Sequence, residues 1–142
     1  MKYLLDTDHI SILQRRSGLD FTRLAFRIAQ HPPTDFALSI VSFHEQILGA
    51  HTFVQRARTD IEIMRGYTLL QETLQGFAKA PVLSFDNQAI VVFNTLKNQQ
   101  IRVSTMDLRI AAIALSQNLV LLTRNISDFG RITSLLIEDW TL

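Results

Sequence analysis

Four carboxylates, Asp6, Glu45, Asp107 and Asp128, stand at points in the chain from which they could converge. Asp6 directly follows the apolar run Tyr3-Leu4-Leu5. Glu45 comes a short turn after a second apolar run, 36–41. Asp107 opens a segment rich in Ala and Ile, and Asp128 follows Leu122 closely. Oxygen-only donors of this kind suit a hard divalent cation such as magnesium, which takes one or two carboxylates and keeps several waters. Phosphodiester hydrolysis needs a nucleophile made from water and a neutralised phosphate, and a bound divalent cation supplies both. Thr123 and Asn125 lie close enough in sequence to Asp128 to hydrogen-bond an acid or a metal-bound water.

Each acid also has a purely structural reading. Asp6 is a favoured residue type for capping a helix over 7–13. Ser42-Phe43-His44-Glu45 fits a capping box, in which the glutamate reaches back to the Ser42 amide. Asp107 complements a helix dipole in the first turn after Ser104 or Thr105. Asp128 and Asn125 are ordinary turn residues. Arg109 and Arg124 sit beside candidate acids, where they could grip a phosphate in bidentate fashion or simply balance charge. Arg56, Arg58 and Arg65 read as a solvated helix face rather than a nucleic-acid track.

The elements that must position these groups follow from the hydrophobic pattern. Strands are predicted at 3–5, 36–41, 82–85, 120–122 and 135–137. Helical spacing is predicted around Ile10 to Ile28 with a break near Gly18, from Ser42 through Ala50, over 53–78, from an Asp86 cap through Leu96, and over 104–117. His31-Pro32-Pro33-Thr34 is a breaker. The Asp128 segment is read as a loop. Continuous apolar strands alternating with helices predict an α/β fold, a central mostly parallel sheet with helices on both faces. In such folds ligands collect beyond the carboxyl ends of the strands. Asp6, Glu45 and Asp128 fall there.

The 142 residues fit one domain, 1–142, and 47% hydrophobic content predicts a folded core. A net charge of +1 is neutral on nucleic-acid binding, which needs only a local basic patch. Without cysteine there is no disulfide framework, thiolate zinc site or cysteine nucleophile. An acid at position 6 comes too early for a signal peptide. The longest apolar stretches fall far short of the roughly 20 residues of a membrane helix. A soluble cytoplasmic protein without a membrane partner is expected. His44 and His51 do not form a zinc motif, and there is no glycine-rich phosphate loop. Trp140 is expected to pack.

Taken in order, the segments Tyr3-Leu4-Leu5-Asp6-Thr7-Asp8, Ser39 to Gly49, Val103 to Ala112 and Leu121 to Phe129 resemble the PIN domain. Within it they resemble the VapC-type toxin ribonucleases of bacterial toxin–antitoxin pairs. The resemblance spans essentially the whole chain. It implies a magnesium- or manganese-dependent endoribonuclease acting on RNA, a homodimer, and inhibition by a VapB-like antitoxin. It further implies Asp6 and Asp107 as main metal ligands, with Glu45 and Asp128 orienting waters or a second metal. Asp8 departs from the family, which commonly has a neutral polar residue there, and could join the site or face solvent. Gln46 replaces the usual apolar residue, and 55–79 matches least.

Two other readings remain open on the residues. Leu4-Leu5-Asp6-Thr7-Asp8 resembles the Asp-x-Asp motif of haloacid-dehalogenase-like phosphohydrolases, in which Asp6 would be a nucleophile. His9-Ile10 in place of Gly-Thr and the short chain oppose it. A non-enzymatic, receiver-like acidic module would be expected to carry a late lysine, and none follows Lys97.

Overall fold

The computed structural model describes all 142 residues. The chain runs β1 (Tyr3–Leu5), α1 (Thr7–Arg15), α2 (Leu19–Ile28), β2 (Phe36–Ser39), α3 (Ile40–Arg56), α4 (Asp60–Phe77), β3 (Val82–Leu83), α5 (Asn87–Asn98), α6 (Thr105–Ser116), β4 (Val120–Leu122), α7 (Ile126–Phe129) and β5 (Ile137–Glu138). A 3-10 turn, Pro33–Asp35, leads into β2. No helix is long and apolar enough to cross a membrane.

The five strands form one sheet in the order β3-β2-β1-β4-β5, with every pairing parallel. Alternate residues of a strand face opposite sides, and this divides the core in two. Leu4, Ala37 and Leu121 point into a cluster with Ala89, Phe93 and Leu96 of α5, Ile110 and Ile113 of α6, and Phe129 of α7. Leu5, Phe36, Leu38 and Leu122 point the other way, against Ile10 and Ile12 of α1, Leu24 of α2 and Phe77 of α4. Both sheet faces are therefore dry, which is why the strands read as unbroken apolar runs. Each buried leucine contributes roughly 1.5–3 kcal/mol. The sheet order also creates a switch point. The chain fills one side of β1 with β2 and β3, then crosses to the other side with β4 and β5. Ligands in open parallel sheets bind at such a point, outside the carboxyl ends.

Several boundaries differ from those predicted. The apolar run 36–41 is split: β2 ends at Ser39, and α3 begins at Ile40. Ser39, not Ser42, is the cap, its Oγ accepting from Ser42 N–H at 3.0 Å. Ser39, the only polar residue in the run 36–41, is itself buried, so no solvated break marks this junction. The expected helix over 53–78 is two helices. Thr59 starts the second, accepting from Glu62 N–H at 3.2 Å and donating to Glu62 Oε1 at 3.0 Å. Gly66 allows α4 to lie close against α3, since a β-carbon there would collide with Val54. The third strand is two residues long, and the last begins at Ile137 rather than 135. The segment read as a loop around Asp128 contains the helical turn α7. The break near Gly18 is as expected: Gly18 has φ +93°, a conformation that glycine adopts without steric cost.

The C-terminal turn is held by Trp140, which is fully buried. Its ring meets Tyr3 edge-on at 4.7 Å, stacks on His31 at 5.3 Å, and carries the Arg27 guanidinium at 4.5 Å. Its Nε1–H donates to Glu138 Oε2 at 2.6 Å. Truncating a buried aromatic of this kind costs about 3–5 kcal/mol. Trp140→Ala should lose that much in urea denaturation; a loss under about 1 kcal/mol would show that the aromatic cluster does not anchor the turn.

Candidate active site

Asp6 leaves β1 with extended backbone and caps α1, its Oδ1 accepting from Thr7 N–H at 2.8 Å. Its own N–H donates to Leu122 O at 2.9 Å, and its Oδ2 accepts from Thr123 Oγ1 at 2.7 Å. The residue is 5% exposed. Burial pushes its pKa up, the Asp8 charge adds to this, and Asp107 adds a little more. The Thr123 and Thr7 hydrogen bonds pull the other way, and the balance stands at about 7. The cap reading and a site at this position thus describe the same geometry.

Glu45 lies in the second turn of α3. It makes no capping box. Its Oε1 instead accepts from Thr7 Oγ1 at 2.7 Å. Thr7 Oγ1 is also 3.0 Å from Ser42 Oγ, which is 3.3 Å from Ser39 Oγ. A carboxylate only accepts, and each hydroxyl has one proton. The chain therefore runs one way: Ser39 donates to Ser42, Ser42 to Thr7, and Thr7 to Glu45. Both serines are fully buried, so nothing in solvent competes for these protons.

Asp107 sits in the first turn of α6, its N–H donating to the Ser104 cap at 3.1 Å. Partial burial pushes its pKa up. Ser104 opposes that, while the charges of Glu45, Asp128 and Asp8 reinforce it. Asp128 lies within α7. Asn125 caps that turn and donates from Nδ2 to Asp128 Oδ2 at 3.1 Å. Asp6 responds to the charges of Asp8 and Asp107, and Asp107 to those of Glu45, Asp128 and Asp8, so Asp107 is the acid through which the other three are linked.

Asp8 is partly exposed, and both of its carboxylate oxygens are engaged. Its Oδ1 takes a 2.8 Å hydrogen bond from His9 Nδ1, and its Oδ2 accepts from Arg124 N–H at 2.9 Å. Burial works to raise its pKa, but these hydrogen bonds outweigh burial and hold it below the ordinary range. The arginine side chains do not balance the acids. Arg124 pairs with Asp20 at 3.0 Å, and Arg109 lies over Phe93 at 5.8 Å. None of the ion pairs engages Asp6, Glu45, Asp107 or Asp128.

The donors are all oxygens, and no lysine, arginine or histidine forms an ion pair with them. No three His, Asp or Glu side chains stand close enough to cage a metal by themselves. That arrangement fits magnesium or manganese bound through one or two carboxylates and several waters, rather than a fully enclosed cation. The residues missed from sequence are the hydroxyls of Thr7, Ser39 and Ser42, together with His9. The spacing of 39, 42 and 45, three residues apart on one helical face, was the available signal.

No family model matches the chain. Ribonuclease VapC1 of Haemophilus influenzae strain R2866 is 33% identical over 147 residues, covering 99% of each chain, and that of strain ATCC 51907 is 32% identical over the same span. The chain belongs to the VapC ribonuclease family. The structure of VapBC-1 from nontypeable Haemophilus influenzae matches with a TM-score of 0.68 and 31% identity over 100% of both chains. DNA-bound VapBC from Salmonella typhimurium matches in fold, with a TM-score of 0.73 at 23% identity over 99% of this chain and 98% of that one. These likenesses, over the whole length, favour the VapC reading over a dehalogenase-like or receiver-like one. In this VapC-family chain a cleft of about 970 Å³ lies apart from the acids, lined in part by Leu13, Ile28, Phe36, Leu38, Gly76 and Lys79.

The raised pKa of Asp6 fixes a sign for pH dependence. A carboxyl whose folded pKa, about 7, exceeds its ordinary 3.8 favours the fold when protonated. That contribution is full below pH 3.8 and is lost as pH rises through 7. At about 1.4 kcal/mol per pKa unit, the metal-free Asp6→Asn variant should exceed the parent by about 2 kcal/mol or more at pH 8 and match it near pH 4. Asp8 titrates alike in both proteins and cancels. Urea titrations in EDTA at the two pH values decide it; an equal difference at both would show that the Asp6 charge is not strained by burial.

Proposed function

We propose that this chain is a divalent-metal-dependent endoribonuclease, the toxin of a toxin–antitoxin pair, acting on single-stranded or loop RNA in the cytoplasm. The observation that carries the proposal is that Asp107 lies within electrostatic reach of Glu45 and Asp128 and acts on Asp6, with no ion pair to any of the four. Asp6 and Asp107 hold magnesium or manganese. When bound, the ion lowers the pKa of a coordinated water and neutralises phosphate charge. Glu45, fixed through Oε1 by Thr7, keeps Oε2 free to take the proton of the attacking water. Asp128, fixed by Asn125, helps to orient that water. The water oxygen bonds to phosphorus, and the departing ribose oxygen takes a proton from solvent.

Metal stabilisation of transition-state charge amounts to several kcal/mol, or two or more decades in rate. Asp6→Asn and Asp107→Asn should therefore lower RNA cleavage by about a hundredfold or more, and EDTA should abolish it until magnesium or manganese is restored. Cleavage by either variant at the parental rate would remove the metal-hydrolysis reading.

The matching structures are VapBC-1 of Haemophilus influenzae and DNA-bound VapBC of Salmonella typhimurium. By that likeness this chain binds a VapB-like antitoxin, and the apolar cleft beside α1 and α4 offers a partner segment an apolar seat away from the acids. A homodimer is proposed on the same basis. Ile61, Met64 and Tyr67 project from α4 at 73%, 62% and 59% exposure, a side of the helix that this chain alone leaves uncovered. Sedimentation should give twice the 16.2 kDa chain mass, and Tyr67→Asp should reduce it; a monomer at all concentrations would exclude the dimer.

A further inference from the structure

His9 has no part in the chemistry above, yet no titratable side chain is more enclosed, at 0% exposure. Both its ring nitrogens are engaged. Nε2 lies 3.2 Å from the backbone N–H of Trp140. A backbone N–H can only donate, so Nε2 accepts and the ring proton resides on Nδ1. Nδ1–H then donates to Asp8 Oδ1 at 2.8 Å. Asp139 comes within 3.9 Å of Nε2, but its near oxygen is taken by the N–H and hydroxyl of Thr141 at 2.8 and 2.6 Å.

The path continues past Asp8. Asp8 Oδ2 accepts from Arg124 N–H at 2.9 Å and faces Thr123 Oγ1 at 3.3 Å. Thr123 has one hydroxyl proton, and the shorter bond, 2.7 Å, takes it to Asp6 Oδ2. Asp8 thus grips the peptide that follows β4, the stretch that carries Thr123 to Asp6 and Asn125 to Asp128. At its other end the path stops at Trp140, clamped among Tyr3, His31 and Phe36.

We propose that His9 is a positioning residue for the metal pocket, acting through Asp8. Its Nδ1–H fixes the Asp8 carboxylate, Asp8 fixes the Thr123–Arg124 peptide, and Thr123 in turn fixes the oxygen that Asp6 presents. The proposal rests on the reading of Asp6 as a metal ligand. A rigid ring that donates on one side and accepts on the other suits this place, where lysine only donates and a carboxylate only accepts. Without His9, Asp8 would be a partly exposed side chain, 31% accessible, free to turn toward water. Groups that orient metal ligands in this indirect way typically change metal affinity 10- to 100-fold when lost.

Two substitutions separate the halves of the ring. In His9→Asn the amide nitrogen can occupy the place of Nδ1 and still donate to Asp8, leaving Trp140 N–H unpaired. In His9→Gln the amide oxygen can reach the place of Nε2 and still accept from Trp140, leaving Asp8 Oδ1 unpaired. Each loses one buried hydrogen bond, so thermal denaturation should fall in both. Manganese binding, followed by the electron paramagnetic resonance of free Mn2+, should not fall equally. His9→Asn should bind within about threefold of the parent, and His9→Gln about 10- to 100-fold more weakly. Adding His9→Gln to Asp8→Asn should weaken binding no further, as expected of residues acting in series. Equal weakening in the two His9 variants, or parental affinity in His9→Gln, would overturn the proposal. Asp6→Asn is the control. If the parent binds Mn2+ and Asp6→Asn does not, a failure at His9 is a failure of the positioning role alone; if the parent binds none, the metal reading falls and the positioning role with it. Should His9→Gln not fold, the parent with 15N-labelled histidine answers instead. His9 should show a protonated Nδ1 and a bare Nε2, with the Nδ1–H resonance moving on addition of Mg2+, and an unmoved resonance would count against the role.

Discussion

The burial of one carboxylate between two strand ends governs the rest of this molecule. Asp6 is almost wholly withdrawn from water, with like charges around it and only two hydrogen bonds in return. Those two bonds come from different parts of the chain: Thr7 N–H from the start of α1, and the Thr123 hydroxyl from the end of β4, 117 residues away. The second exists only because β1 and β4 are neighbours in the sheet. The order β3-β2-β1-β4-β5 is therefore more than a packing solution. It is the arrangement that places a hydroxyl beside a buried acid at the switch point, where parallel sheets hold their ligands.

The other acids are held by similarly economical means. Asp107 and Asp128 lie at helix starts capped by Ser104 and Asn125, so the groups that begin each helix also orient an acid. Helix N-termini carry partial positive charge, which offsets some of the repulsion near α6 and at the Asp6 cap of α1. It does not offset all of it, since Asp6 and Asp107 both remain above their ordinary pKa. Glu45 is fixed differently, at the end of a one-way chain of three hydroxyls, two of them sealed in the core. The proteins that this chain resembles are named ribonucleases, and the residual negative charge is the physical reason why a cation-assisted reaction is the one proposed.

What could be read from sequence was what leaves a local mark. Strands buried on both faces show as apolar runs, so β1 and β4 were legible almost to the residue. Asp86 before α5 and Ser104 before α6 are caps of favoured types, and both helices begin there. The start of α3 was hidden because its cap, Ser39, is itself buried within the apolar run 36–41. The break between α3 and α4 was hidden because one helical period continues across it while Thr59 restarts the helix. The acids themselves could be picked out, since each follows a strand or opens a helix. Their supports could not, because Thr7 reaches Glu45 across 38 residues and Thr123 reaches Asp6 across 117. At Asp6 the side chain that caps α1 is also the candidate ligand, whereas at α6 the cap is Ser104 and Asp107 lies in the first turn that it begins.

Asp8 shows how such a pocket tolerates one more negative charge. An acid two residues from a buried carboxylate, where the family it resembles commonly carries a neutral polar side chain, should be destabilising, and its charge is the second largest cause of the raised Asp6 pKa. The chain does not answer with lysine or arginine, which would also have neutralised the pocket. It uses the Nδ1–H of a neutral, buried imidazole and a backbone N–H, donors that carry no formal charge. Asp8 therefore stays ionised and fixed, and no formal positive charge is added beside Asp6 and Asp107. A cationic partner for Asp8 would have stabilised the empty protein more and left less for a metal ion to balance. Neutral donors supply geometry without supplying charge, and that distinction separates a site built to attract a cation from one that has already been given its own.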